Sequence, residues 1–149
     1  MAAETTGKIM AELDFRLVDH NESETEYKAV QAGLNEYAEQ FDIPVRDYVN
    51  LFCYDGEKMV GGIVTNTVID RANIKWLWVD EDYRQKKLGR QLMQKAEKAV
   101  ANMGCKRIFV DTMSYQAPGF YVKEGYLEIA RIKDFYPGFD RIFYQKDLV

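Results

Sequence analysis

One histidine and two cysteines are all that 149 residues contain of those types. A zinc site draws on grouped His and Cys, and a disulfide scaffold on a dense cysteine set. Neither is available here, so no metal is expected. Cys53 and Cys105 stand far apart in apolar surroundings and read as reduced core residues. His20 follows a candidate strand and reads as a turn residue. No long apolar run offers a signal peptide or a membrane span, so a soluble, cytoplasmic protein without a membrane partner is the default. A cationic excess is missing too. The net charge is −4 and the pI about 5.1, which disfavours general nucleic-acid binding. Internal repeats and interdomain linkers are absent.

What is present suits a globular chain. Hydrophobic residues make up 47%, enough for one compact domain over 1–149, with 1–12 a loose polar lead-in. Asp14–Asp19 alternates as a strand does. Ser23 opens a helix, with Glu26 completing a capping box. Tyr27, Val30, Leu34, Tyr37 and Phe41 give its apolar face, and Pro44 interrupts it. Tyr48–Tyr54 and Lys58–Ile69 are strands joined by the hairpin signal Asp55-Gly56. Ile74–Val79 is a third. Leu88, Leu92, Ala96, Val100 and Met103 space out the buried face of a helix from about Lys87 to Met103, stopped by Gly104. Arg107–Thr112 is a strand. A short helix runs from Pro118 to Gly125. Tyr126–Ile132 and Asp140–Lys146 close the chain as strands through Tyr136-Pro137-Gly138. The order is that of an α/β (α+β) domain on one mixed sheet.

The chemistry concentrates in two segments. Four of the seven residues from Arg84 to Arg90 are Lys or Arg. They sit where a strand passes into a helix, whose N-terminus already carries unpaired N–H groups and partial positive charge. Stability alone would favour acidic residues there, so the cations point to an anion, most simply a phosphate. A charge run is also the ordinary dress of a solvated face. The second segment, Ser114 to Tyr126, follows a strand and places Phe120 and Tyr121 on a short helix. Tyr121 reads equally as a core aromatic with a satisfied hydroxyl.

Together the two segments resemble those of the GNAT superfamily of N-acetyltransferases, close to a bacterial subgroup with poorly defined acceptors. The family's pyrophosphate loop reads Arg or Gln, two residues, Gly, one residue, then Gly or Ala. Arg84 fills the first position and Gly89 the last, while Lys87 stands at the usual first glycine. The later segment matches at Ala117, Phe120, Tyr121, Lys123, Gly125 and Tyr126, with Ser114 in place of asparagine. The resemblance spans nearly the whole chain.

It implies a single GNAT-like domain: a mixed, mostly antiparallel sheet flanked by helices and splayed at the acetyl-CoA site. Arg84, Gln85, Lys86, Lys87, Leu88, Gly89 and Arg90 would hold the pyrophosphate. The edge Leu77, Trp78 and Val79 would pair with the pantetheine arm and polarise the acetyl carbonyl, with Ser114 and Ala117 on its other side. Tyr121 would be the general acid for the CoA thiolate. The activity implied is transfer of acetyl from acetyl-CoA to a primary amine of a small molecule or protein, by direct attack in a ternary complex. A homodimer would be in keeping with the family.

Two departures bear on this. With a negative φ, Lys87 donates its N–H and its ammonium reaches a phosphate, but its Cβ can equally crowd the pyrophosphate. The glutamate that the family often carries before the loop is missing from Lys75-Trp76-Leu77-Trp78. Asp80, Glu81 and Asp111 are the nearby carboxylates, and Glu36 and Glu39 offer to hold a cationic acceptor. Tyr27, Tyr37 and Tyr48 suit a pocket wall or a core equally. The missing base keeps a second function open, a non-catalytic CoA-binding module. Nucleic-acid binding through the basic loop is a third, poorly matched to the acidic whole.

Overall fold

The structure is a computed structural model and describes residues 13–148. The lead-in expected over 1–12 lies outside them. The chain divides into two compact units, 1–37 and 38–149.

In the first unit, Asp14–Asp19 is not a strand. Its polar groups bond locally instead. Arg16 Nε donates to Asp14 at 2.6 Å, and Asp19 accepts from the Asn21 N–H at 2.9 Å, capping a 3-10 turn at His20–Glu22. An alternating pattern makes a strand only where a ladder receives its backbone. Helix α1 (Glu24–Glu39) follows. The Ser23 carbonyl accepts its first bond, from Tyr27 N–H at 2.8 Å. In place of the expected capping box, both Ser23 donors turn back to the His20 carbonyl, Oγ at 3.0 Å and the N–H at 3.4 Å.

The second unit is a six-stranded sheet with strands β1 (Asp47–Asp55), β2 (Lys58–Val68), β3 (Arg71–Val79), β4 (Arg107–Met113), β5 (Leu127–Tyr136) and β6 (Phe139–Asp147). Their spatial order is β1-β2-β3-β4-β6-β5. Every pair is antiparallel except β3 with β4. The mixed, mostly antiparallel sheet is therefore as expected. Helix α2 (Leu88–Asn102) crosses from β3 to β4, the long connection a parallel pair needs. Helix α3 (Gly119–Lys123) joins β4 to β5.

The core lies between α2 and one sheet face. Ile63, Ala72, Ile74, Ile108, Val110 and Ile142 meet Leu88, Leu92, Met93, Ala96 and Val100. Met93, rather than Met103, completes the helical stripe; Met103 is the C-cap and is exposed. Cys105 is buried and Cys53 half-buried, both as free thiols. Gly61 lets α2 come close. A Cβ there would lie 3.1 Å from the Trp78 carbonyl oxygen and 3.2 Å from both Leu88 Cδ2 and Leu92 Cδ1.

The two central strands part company. β3 and β4 pair only over Arg71–Ile74 and Arg107–Val110. Beyond Ile74, β3 stays with β2 to Val79, while β4 stays with β6 to Met113. The divergence begins at a bulge. Val64 faces Trp76 and Thr65 faces Ile74, so Lys75 is an extra residue in β3. A bulge bends its strand and sharpens the local twist. The splay expected in the sheet is thus built by one added residue.

Candidate active site

The end of β3 supplies one wall of the opening. Leu77 and Val79 pack against the core. Trp78, between them in a pleated strand, projects from the other face and is 46% exposed. Arg84 Nε donates to the Val79 carbonyl at 3.2 Å, which folds the start of the basic loop back onto the strand.

The loop is not a direct strand-to-helix step. Glu81–Lys86 forms a 3-10 segment, capped by Asp80. Arg84, Gln85 and Lys86 lie on this segment and are exposed. Lys87 follows with φ 58° and ψ 23°, the left-handed region, so α2 begins at Leu88. The negative φ that would suit a lysine is not adopted. Lys87 instead takes a conformation that glycine enters without resistance. Among the described residues no backbone acceptor meets the N–H groups of Leu88, Gly89 and Arg90. The first turn of α2 carries no acidic residue. Cationic residues and N–H groups without a backbone acceptor thus occupy the same stretch of chain, a combination that favours an anion. Leu88 is buried and offers only its backbone. Arg90 pairs with Glu124 at 3.7 Å.

That pair joins the loop to the second segment. Gly89 lies beside the Phe120 ring, where a Cβ would meet Cζ at 3.5 Å. Ser114 continues the β4–β6 ladder: its N–H donates to the Asp140 carbonyl at 2.9 Å, and its Oγ accepts from the Asp140 N–H at 3.0 Å. The hydroxyl proton has no acceptor among the described residues. Ala117 has φ 53°, a second left-handed non-glycine residue in the site. Gln116 holds that turn. Its Oε1 accepts from the Met113 N–H at 3.2 Å and from Thr112 Oγ1 at 3.4 Å. Sequence reading did not give Gln116 this role, nor Gly61 its close approach.

Tyr121 is 7% exposed and packed among rings. Tyr144 stacks on it at 5.9 Å, and Phe120 and Tyr126 meet it edge-on at 5.3 and 5.9 Å. Burial, with the nearby Asp111 charge, pushes its hydroxyl up to about 12. No described residue hydrogen-bonds that hydroxyl, and it is not among the sealed unpartnered atoms. Its neighbour shows the contrast. Tyr126 donates to Glu97 at 2.9 Å, and the same carboxylate takes Lys146 at 2.9 Å. Tyr126 is therefore a structural tyrosine, and Tyr121 keeps an unused proton.

The carboxylates near the loop are largely committed. Asp80 caps the 3-10 segment and pairs with Lys58 at 3.1 Å, which holds its carboxyl below the usual range. Asp111 pairs with Arg141 at 2.8 Å. Among the described residues no group of His, Cys, Asp and Glu could hold a metal. No helix among them is long and apolar enough to cross a membrane.

The family model for the acetyltransferase (GNAT) family matches residues 9–126. A curated relative, blasticidin-S acetyltransferase of Streptomyces morookaense, is 34% identical over 106 residues, which cover 70% of this chain and 78% of that protein. The crystal structure of an acetyltransferase from Bacillus cereus superposes with a TM-score of 0.75 at 28% identity, covering 88% of this chain and 97% of the other. The ribosomal-protein-S18-alanine N-acetyltransferase of Escherichia coli shares the fold alone, with a TM-score of 0.62 at 23% identity over 68% of this chain and 69% of the other.

Proposed function

The chain belongs to the GNAT family of acetyltransferases and is an acetyl-CoA-dependent enzyme, and from that premise we propose that it acetylates a primary amine of a small molecule. The observation that carries this reading is the splay between β3 and β4, in a chain that also has α2 N–H groups without a backbone acceptor and a Tyr121 hydroxyl without a partner among the described residues. The small-molecule acceptor draws support from the blasticidin-S acetyltransferase, whose match covers most of both chains. The fold by itself does not choose, since it also serves an enzyme named for a protein's alanine.

In this reading acetyl-CoA lies along the β3 edge with its pyrophosphate on the N–H groups of Leu88, Gly89 and Arg90. Arg84, Lys86 and Lys87 surround it with positive charge. Gln85 lines the same loop, and Ser114 and Ala117 flank the pantetheine arm. Backbone N–H groups within Leu77–Val79 face the acetyl carbonyl and stabilise the oxyanion that develops on it. The neutral amine attacks the carbonyl carbon. The C–N bond forms, the C–S bond breaks, Tyr121 gives its proton to the departing sulfur, and the N–H proton that the attacking nitrogen sheds to become the amide returns through water to the Tyr121 phenolate. The amine must first shed its own proton, which for a lysine-like group costs about 4.6 kcal/mol at pH 7. Asp80 is tied to its cap and ion pair and is not that base.

A tyrosine near 12 stays protonated throughout the working range. Full transfer to a thiolate of pKa about 8.5 would be uphill by roughly 5 kcal/mol in water. The same dry surroundings raise the thiol too, which narrows the gap. Thiol release from acetyl-CoA, measured against polyamines, aminoglycosides, amino-bearing nucleoside antibiotics, amino acids and peptides, tests the proposal. Release with a small amine is expected. Release with peptides alone would move the acceptor to protein, and none with any amine would remove the proposed reaction.

A further inference from the structure

The 3-10 segment Glu81–Lys86 is gripped by the turn of the β1–β2 hairpin. The Tyr83 hydroxyl donates to the carboxylate of Asp55, the last residue of β1. Lys58, the first residue of β2, meets Asp80 at 3.1 Å. The Asp80 N–H donates to the Val60 carbonyl at 2.9 Å, and its side chain accepts from the Asp82 N–H at 3.1 Å. The ammonium groups of Lys58 and Lys86 lie 5.7 and 4.5 Å from the centre of the Tyr83 ring. Aspartate, lysine and tyrosine thus bind the hairpin turn to the stretch just before Lys87.

Lys87 needs such a grip. A side chain with a Cβ holds a left-handed conformation only where its surroundings impose it. Downstream, the imposing contacts are buried Leu88 and the Arg90–Glu124 pair. Upstream, they are those of the hairpin turn. We propose that Tyr83 and Asp55 are positioning residues for acetyl-CoA: by anchoring the 3-10 segment they force the left-handed turn at Lys87, which aims the free N–H groups of Leu88, Gly89 and Arg90 at the pyrophosphate. The proposal rests on the reading of this loop as the acetyl-CoA site.

It has a consequence that a merely structural contact lacks. Glycine enters the left-handed region without resistance. With glycine at position 87 the loop no longer depends on the anchor, so losing the anchor should cease to matter. The test is a double-mutant cycle on the dissociation constant of acetyl-CoA, measured by calorimetric titration. The proteins are the wild type, Tyr83→Phe, Lys87→Gly and the double variant. Tyr83→Phe removes one half-exposed hydroxyl and keeps the ring that both lysines face, and thermal melts confirm that each variant is folded.

Tyr83→Phe is expected to weaken binding roughly three- to tenfold, within the net effect of one ordinary hydrogen bond. In the Lys87→Gly background the same change should weaken it less than about twofold, which is the ordinary error of additivity. Lys58→Met, which severs another of the anchor's bonds, should repeat the pattern. Equal losses in both backgrounds, or no loss from Tyr83→Phe, overturn the proposal while leaving the loop as the acetyl-CoA site. A wild type that does not bind acetyl-CoA overturns both.

Discussion

Lys87→Gly probes the loop with a sign that intuition would reverse. Removing a lysine from a cationic site should weaken anion binding and do nothing for stability. The backbone says otherwise. Lys87 stands at φ 58° as the cap residue between the 3-10 segment and α2, and its side chain makes no capping bond. A left-handed residue with a Cβ is disfavoured by about 1–2 kcal/mol. Glycine relieves that strain but adds freedom to the unfolded chain, worth about 0.4–1 kcal/mol against it. The difference leaves the variant more stable by roughly 0.5–1 kcal/mol, or about 1–4 °C in melting temperature for a chain of this size. For binding, an exposed ammonium near a phosphate contributes about 0.2–1 kcal/mol, and loss of the Cβ opens the approach to the backbone. The two effects oppose, so acetyl-CoA affinity should change by no more than about tenfold, or 1.4 kcal/mol. Lys87→Ala is the control, because it loses the charge and keeps the strain. Thermal melts and calorimetric titration of all three proteins decide. If Lys87→Gly melts lower than the wild type, or if Lys87→Ala gains as much, the strain argument is wrong. If either abolishes binding, the Lys87 ammonium is an essential phosphate ligand.

Acetyl-CoA should raise the melting temperature of the wild type in a concentration-dependent way, as any ligand of the folded state does; an unchanged melt at saturation would contradict the site. Tyr121→Phe should lower turnover about 100-fold or more with acetyl-CoA affinity nearly intact, and higher pH should recover part of the loss as the thiolate leaves more easily unaided. Near wild-type turnover would return Tyr121 to the status of a core ring. Stability should decline in alkali. The folded-state pKa of Tyr121 is raised to about 12 from 10.0, so its contribution is complete below pH 10 and is lost as pH rises through 12. The two-unit shift corresponds to about 2.7 kcal/mol. Urea unfolding at pH 9 and pH 11 should show the fall, and Tyr121→Phe should show less of it. Gly61→Ala should cost about 1–3 kcal/mol by overpacking and also weaken acetyl-CoA binding, because the new methyl meets the Trp78 carbonyl and the α2 leucines at 3.1–3.2 Å; denaturant titration of a variant as stable as the wild type would refute it.

Periodicity made the helix stripe from Leu88 to Val100 legible, and Asp55-Gly56 made the hairpin legible, because both are local signals that burial reinforces. Asp14–Asp19 misled for the converse reason. Alternation states a capacity to pair, and no ladder among the described residues receives that segment. The cationic loop was visible as composition, but its path was not. A run of Lys and Arg says nothing of a 3-10 segment whose shape is set by Asp55 and Lys58, remote in sequence and brought near by a hairpin. Tyr121 and Tyr126 were indistinguishable as letters, and only the presence of Glu97 beside one of them separates a tyrosine already bonded from one without a hydrogen-bond partner among the described residues. The splay has the same character. A family resemblance implied it, while its cause is the added residue Lys75, which sequence patterns do not mark because a bulge changes the register of a strand and leaves its composition alone. The arrangement of the site is thus set by features that composition does not mark: a strand bent by a bulge, a lysine in the left-handed region, and a Tyr121 hydroxyl with no hydrogen-bond partner among the described residues.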